Sequence, residues 1–340
     1  MSAFLRACRS ETADYTPIWL MRQAGRYQAK YRAIRDRLSF IEMCKTPEIA
    51  TEVTLLPVRQ FGVDAAIQFA DILLILEPLA IGFEFTEEHG PRILAPVRSS
   101  REIDAISERI DVRASLGYLL ESIRMVRKEL PQQVPLIGFS GAPFTLASYV
   151  IEGGGSHDYI STKRLMFTDP GAFEVLMTKL TNAVIEYLNA QVDAGAQALQ
   201  IFDSWVGCLS DRDYRVYVQP HMKRLFKALR PGVPVIHFGT GNPSLYRSMM
   251  QSGGDVIGVD WRVDLRVQWD LLGEVAMMGN LDPVSLLAPV DVVKQRAKEL
   301  IDSLDARPGH IFNLGHGVFP QTDESSVKAL VDFVHEYTAR

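Results

Sequence analysis

The sequence predicts an α/β protein folded as a single (β/α)8 TIM-type barrel, and three observations point there. Eight short apolar runs recur along the chain, a helical pattern follows nearly every run, and a polar or ionisable residue closes each run at its C-terminal end. The runs are Ile18–Met21, Ala65–Phe69, Leu136–Phe139, Ala198–Phe202, Val233–Phe238, Val256–Val259, Val275–Met278 and Ile311–Leu314. They are rich in Val and Ile and bounded by turn residues, as strands are. The helical stretches are Pro47–Phe61, Arg101–Leu130, Pro143–Glu152, Asp169–Ala194, Asp211–Leu229, Pro243–Ser252, Pro289–Leu304 and Thr322–Tyr337. Several open with Pro, Asp or Thr, which are good helix starters. The connection Asp260–Gly273 has room for a short helix only. Residues 77–100 break the alternation, and Glu87-Glu88-His89-Gly90-Pro91 reads as a hairpin turn. An open doubly wound sheet is the alternative, weakened because no Gly-x-Gly-x-x-Gly follows the first run. Gly239-Thr240-Gly241-Asn242-Pro243 reads as a tight strand-to-helix turn. With no repeat or linker, residues 1–340 form one expected domain.

Composition narrows the function. The chain carries 36 basic and 41 acidic residues, a net charge of −5, which argues against a dedicated nucleic-acid binder. Three widely spaced cysteines, Cys8, Cys44 and Cys208, fit a reducing cytoplasm rather than a disulfide framework. Met1–Arg6 has no apolar stretch of the signal-peptide kind. The most apolar region, Ala65–Phe85, is interrupted by Gln68, Asp71, Glu77 and Pro78 and is no membrane span.

Within this acidic chain, cations concentrate in Met21-Arg22-Gln23-Ala24-Gly25-Arg26-Tyr27 and the following Lys30, Arg32, Arg35 and Arg37. Arginine forks suit carboxylates, so a polyanionic ligand is one reading. A solvated basic helix face, with Arg22, Arg26 and Lys30 four apart, is the other. A barrel gathers its chemistry at the C-terminal strand ends. There the chain places Arg22 and Arg26, Asp71, Ser140, Asp203 and Ser204, His237, Asp260, Asn280 and Asp282, and His316. Asp71 lies in an apolar context and needs a partner or a ligand. Two glycines flank His316 and admit close backbone approach. Asp203 and Asp282 also suit helix or turn caps, and His237 suits core packing. Periodicity leaves Tyr149 facing either core or rim. No His-Glu-x-x-His, Cys-rich set, Walker loop or Gly-x-Ser-x-Gly is present.

The motifs together resemble the uroporphyrinogen decarboxylase family nearly end to end. They are Pro17–Tyr27 (PIWLMRQAGRY), Phe69–Leu73 (FADIL), Gly138–Gly154 (GFSGAPFTLASYVIEGG), Lys163–Met166, Gln200–Gly207 (QIFDSWVG), Gly279–Pro283 (GNLDP) and Phe312–Gly317 (FNLGHG). The resemblance implies a cytoplasmic homodimeric barrel that needs no cofactor and no metal. Its substrate is uroporphyrinogen, whose four acetates become methyls, giving coproporphyrinogen on the route to haem. It also implies site residues at Arg22, Arg26, Arg35, Asp71, Tyr149, Ser204 and His316, with Gln23 and Ala24 beside the first loop. Two departures stand out. Gln28-Ala29-Lys30 replaces the family's Leu-Pro-Glu, and Ala70 stands where Ser is common before the aspartate. Two other readings are a zinc-dependent, cobalamin-linked methyltransferase of the same fold and a non-catalytic tetrapyrrole carrier.

Overall fold

The structure, a computed structural model, describes residues 2–86 and 90–340. Strands in chain order are β1 (Ala66–Ile67), β2 (Phe83–Thr86), β3 (Gly90–Ile93), β4 (Leu136–Gly141), β5 (Ala198–Asp203), β6 (Val235–Gly239), β7 (Val256–Gly258), β8 (Ala276–Leu281) and β9 (His310–Leu314). Among the described residues, seven of them form one parallel sheet in the order β1-β4-β5-β6-β7-β8-β9, which curls as parallel strands linked through helices do. β2 and β3 pair antiparallel by themselves, with Thr86 opposite Gly90. Glu87, Glu88 and His89 of the expected turn lie outside the described residues. No described helix is long and apolar enough to cross a membrane.

Side chains alternate across the sheet. Ile137, Ala198, Ile236, Phe238, Val256, Ala276, Met278 and Ile311 point to the concave side and pack together there with Trp19 and Met21. Phe4, Ala7 and Cys8 of the helix Ala3–Cys8 join the same cluster. Leu136, Leu199, Ile201, Val235, Ile257 and Met277 face the helices on the convex side.

Two expectations are corrected here. The first apolar run is not a strand: Ile18 makes only an isolated parallel bridge to Phe312. Side chains take over where a ladder would continue. The Leu20 N–H is accepted by Gln23 Oε1 at 3.1 Å and the Met21 N–H by Asn313 Oδ1 at 3.1 Å. The expected helix Arg101–Leu130 is three pieces, Ser100–Asp104, Val112–Ser115 and Gly117–Glu129. Asp111 restarts the chain by accepting the Ala114 N–H at 3.0 Å.

Elsewhere the differences are local. The stretch Asp211–Leu229 contains a π-helical turn, Tyr214–Val218, just before Pro220, which has no N–H for the helical ladder. The 260–273 connection does hold a short helix, Leu265–Leu272, started by Asp264. Helix Pro143–Glu152 falls where expected, with Pro143 in its first turn and Gly153 at φ 94° ending it.

Candidate active site

The site starts where the chain leaves β1. The Phe69 N–H turns from the sheet to Thr54 Oγ1 at 2.9 Å. Two residues on, the Asp71 carboxylate accepts the Leu73 N–H at 2.8 Å and opens the 3-10 turn Leu74–Leu79. No salt bridge reaches Asp71 among the described residues, although Leu73, Leu74, Ile75 and Leu76 are all buried beside it. Burial therefore pushes its carboxyl up to about 6, while the Leu73 N–H and the positive charge of Arg22 pull the other way.

Arg22 sits on the turn after Leu20. Its φ of 59° lies in the left-handed region that few non-glycine residues adopt. Gln23 braces this turn: besides the Leu20 bond, its Nε2 donates to the Ala65 carbonyl at 3.1 Å. Its own carbonyl accepts the Tyr27 hydroxyl at 2.6 Å. A second brace comes from the far end of the chain, where the Val318 N–H reaches the Met21 carbonyl at 2.9 Å. The Arg22 stem lies against Gly317 so closely that a Cβ there would sit 2.4 Å from Arg22 Cδ. The Arg22 guanidinium is exposed and unpaired among the described residues, and its charge acts on Asp71, Tyr149 and His316 alike.

His316 follows β9 and is half-buried. Its ring meets Trp261 edge-on, with centroids 6.1 Å apart. Gly315 lets the two loops approach, since a Cβ there would lie 2.2 Å from the Trp261 main-chain nitrogen. Burial, then the charges of Arg22 and Arg262, depress the imidazole to about 4, against a small opposing pull from Asp260. His316 is therefore neutral near pH 7.

Tyr149, on helix Pro143–Glu152, turns to the rim. Its ring meets Trp205 at 4.6 Å, and Tyr159 meets the same indole at 5.2 Å. Burial and the nearby Asp71 charge push the Tyr149 phenol up to about 12, so it stays a hydrogen-bond donor. Ser204 precedes Trp205 and is half-buried; its carbonyl accepts the Thr240 hydroxyl at 3.1 Å.

Arg22, Asp71, Tyr149 and His316 thus share one electrostatic neighbourhood, with Ser204 beside it through Trp205. Arg26 and Arg35 stand further out. Both act on the phenol of buried Tyr31, whose ring packs edge-on against Phe69 at 5.9 Å. Arg26 is exposed, and Arg35 donates to the Leu38 carbonyl at 2.8 Å. The Gln23 side chain is committed to main-chain atoms, and Ala24 packs beside the cluster of Tyr31, Ile34 and Met43.

Other rim residues turn elsewhere. Asp282 caps the turn Pro283–Leu287 through the Val284 N–H at 3.0 Å. His237 is wholly buried and faces outward against Phe226, with Asp203 at 3.6 Å. Asp203 is no helix cap: Thr145 donates to it at 3.1 Å. Sequence reasoning missed roles for Trp205, Gly317 and Arg262. The adjacency of Trp205 to Ser204 and of Arg262 to Asp260-Trp261 was the available signal. A hollow of about 550 Å³ lies between the helices Val112–Ser115 and Pro170–Ala194, lined in part by Asp193 and Arg230, which pair with each other. None of the expected site residues lines it.

The sequence model of the uroporphyrinogen decarboxylase family matches residues 1–337. The uroporphyrinogen decarboxylase of Carboxydothermus hydrogenoformans is 54% identical over 338 residues, covering 99% of this chain and 96% of the relative. That of Sorangium cellulosum is 53% identical over 334 residues, covering 98% and 95%. Among solved structures, a methyltransferase from Methanosarcina mazei superposes with a TM-score of 0.83 at 21% identity, covering 98% of this chain and 97% of that one. This last likeness shows the shared fold alone. With the family model matched over residues 1–337 and about half its residues shared with curated members, the chain belongs to the uroporphyrinogen decarboxylase family.

Proposed function

We propose that this protein is a carboxy-lyase that removes the four acetate carboxyls of uroporphyrinogen III, giving coproporphyrinogen III for haem biosynthesis. Family membership supports the reaction. The observation that carries it to this chain is one acidic group, Asp71, sharing its surroundings with the unpaired Arg22 and the neutral donors Tyr149 and His316.

The substrate brings eight carboxylates and four pyrrole N–H groups. Protonating the pyrrole carbon next to an acetate makes that ring cationic. The carboxylate C–C bond then breaks, CO2 leaves, and the bonding pair flows into the ring, leaving an exocyclic methylene. A proton adds to that methylene carbon, the ring carbon loses its own, and a methyl group results. The net change is one proton in and one CO2 out. The substrate is its own electron sink, so no cofactor is called for. Asp71, ionised, accepts pyrrole N–H bonds and stabilises the ring cation; fixed charges of this kind contribute about 3–4 kcal/mol to a barrier. Arg22 holds the reacting acetate, with Arg26 and Arg35 drawing in further carboxylates from the rim. Tyr149, Ser204 and His316 orient carboxylates as neutral donors, while Gln23 and Ala24 shape the turn that presents Arg22.

The finer architecture belongs to the same reading: one domain over residues 1–340, with the sheet closed into a (β/α)8 barrel by residues 17–20 as its eighth stave. Bonds on both sides support this. The Phe312 N–H donates to the Pro17 carbonyl at 2.8 Å on one side, and the Asp64 N–H to the Ile18 carbonyl at 2.8 Å on the other. The homodimer rests on the resemblance. Cytoplasmic residence rests on it too, and on three cysteines that are all unpaired. The zinc-methyltransferase reading loses support because His237 is packed against Phe226, away from any thiol set among the described residues.

The test is direct. Purified protein is incubated anaerobically with uroporphyrinogen and nothing else, and the carboxylate count of the products is followed. Successive seven-, six-, five- and four-carboxylate products are expected. A stable, unchanged octacarboxylate would reduce the protein to a carrier.

A further inference from the structure

We propose that Arg262 is a substrate-binding residue that holds a propionate of the tetrapyrrole on the outer side of His316. The inference rests on the decarboxylase reading above and adds a subsite to it.

Arg262 stands on the loop after β7. Its guanidinium lies 3.9 Å from the centre of the Trp261 ring, and that indole meets His316 edge-on. The loop is held by Asp260, which is wholly buried. Asp260 Oδ2 accepts the Gly241 N–H at 2.6 Å and Arg262 Nη1 at 2.7 Å, and Oδ1 accepts the Arg262 N–H at 2.8 Å. The carboxylate already has two main-chain donors, so it occupies one corner of the guanidinium only. Nε and Nη2 make no bond among the described residues, and the side chain is 48% exposed. A planar fork flattened on an indole with its outer edge open is preorganised for a carboxylate.

Position decides which carboxylate. Arg262 lies on Trp261, which meets His316, and no hydrogen bond, ion pair or ring contact among the described residues joins Arg262 or Trp261 to Asp71 or Tyr149. Arg262 therefore sits away from the reacting acetate, on the side that the longer propionate arm reaches. A propionate also survives all four rounds, so one subsite serves each of them.

The test uses the full chain with Arg262→Gln and Arg262→Lys. Binding of coproporphyrinogen, which carries propionates only, is measured anaerobically beside turnover of uroporphyrinogen. Arg262→Gln is expected to raise the coproporphyrinogen Kd and the uroporphyrinogen KM by a similar factor, about tenfold or more, with little change in kcat. Arg262→Lys keeps a cation for Asp260 and so guards against a folding failure; losing the fork, it should still bind several-fold more weakly. Unchanged Kd and KM, with only a lower Tm, would make Arg262 a mere counter-ion. Weakened uroporphyrinogen binding with unaltered coproporphyrinogen binding would assign it to an acetate and overturn the proposal. A wild-type protein inert to uroporphyrinogen would overturn the function itself, and this subsite with it.

Discussion

Asp71 and His316 titrate in opposite senses from the same cause, burial. The folded protein holds the Asp71 proton up to about pH 6, whereas an unfolded chain releases it near 3.8. Its contribution to stability therefore falls as pH rises through that window. His316 sheds in the folded state, near 4, a proton that an unfolded chain binds up to about 6.5, so its contribution rises with pH between those values. Catalysis needs Asp71 ionised, and kcat/KM should fall below about pH 6. Asp71→Asn should be at least as stable as the native protein at pH 7 yet lose about 10²–10³-fold in kcat. Thermal melts beside a pH–rate profile check both, and near-native turnover by the variant would remove Asp71 from the mechanism. Gly317 and Gly315 offer a second residue-scale contrast. The three nearest atoms to an alanine Cβ at 317 all belong to the side chain of exposed Arg22, which can swing aside. Gly317→Ala should keep its Tm but lose up to about 10²-fold in kcat/KM through a misplaced Arg22. Gly315→Ala presses on the Trp261 main chain and should instead destabilise by about 1–3 kcal/mol.

At the scale of elements, helix Pro143–Glu152 and the end of β5 act as one unit. Thr145 donates to Asp203 at 3.1 Å and accepts the Trp205 N–H at 3.4 Å, which holds the indole against Tyr149. Thr145→Val should cost about 1–3 kcal/mol by leaving a buried carboxylate oxygen and an N–H short of a partner. It should also lower kcat/KM, because the wall behind Tyr149 loosens. Urea titration and steady-state kinetics separate the two effects; stability loss with unchanged kinetics would mean that Tyr149 needs no such support. Pro143 and Gly153 made this helix legible, being start and stop signals that act locally. The breaks inside 101–130 leave little trace in the composition, because Ser99 and Asp111 act through caps that interrupt an otherwise helical stretch. The helix Ala3–Cys8 is too short to show a period, and its burial under the sheet is a tertiary matter.

Across the whole molecule, the chain's two ends meet at Asp64. This carboxylate accepts the Tyr15 hydroxyl at 2.7 Å and the Ile18 N–H at 2.8 Å, and lies 2.7 Å from His335 Nε2 on the last helix. Thr16 and Thr338, and Asp14 and Arg340, are bonded nearby. Asp64→Ala should therefore destabilise by about 3 kcal/mol, since it removes three hydrogen bonds at once and strands the buried Ile18 N–H. It should also release the segment that leads to Arg22, lowering activity in proportion to the folded fraction at least. A Tm within two degrees or so of native would show that the ends are held by other contacts.

The amino-acid sequence by itself determined the α/β alternation and the family, because short-range periodicity and motif spacing are written in neighbouring residues; it also singled out Asp71, Arg22, Ser204 and His316 as candidates, with Tyr149 added by the resemblance alone. Only the tertiary structure decided that residues 17–20 lie beside β9 through one bridge and side-chain bonds. It alone turned His237 outward and Tyr149 toward the rim, and set Gly317 under the stem of Arg22. Those outcomes depend on which surfaces meet across some three hundred residues of chain, and on how burial there shifts each group's charge. No local pattern encodes either.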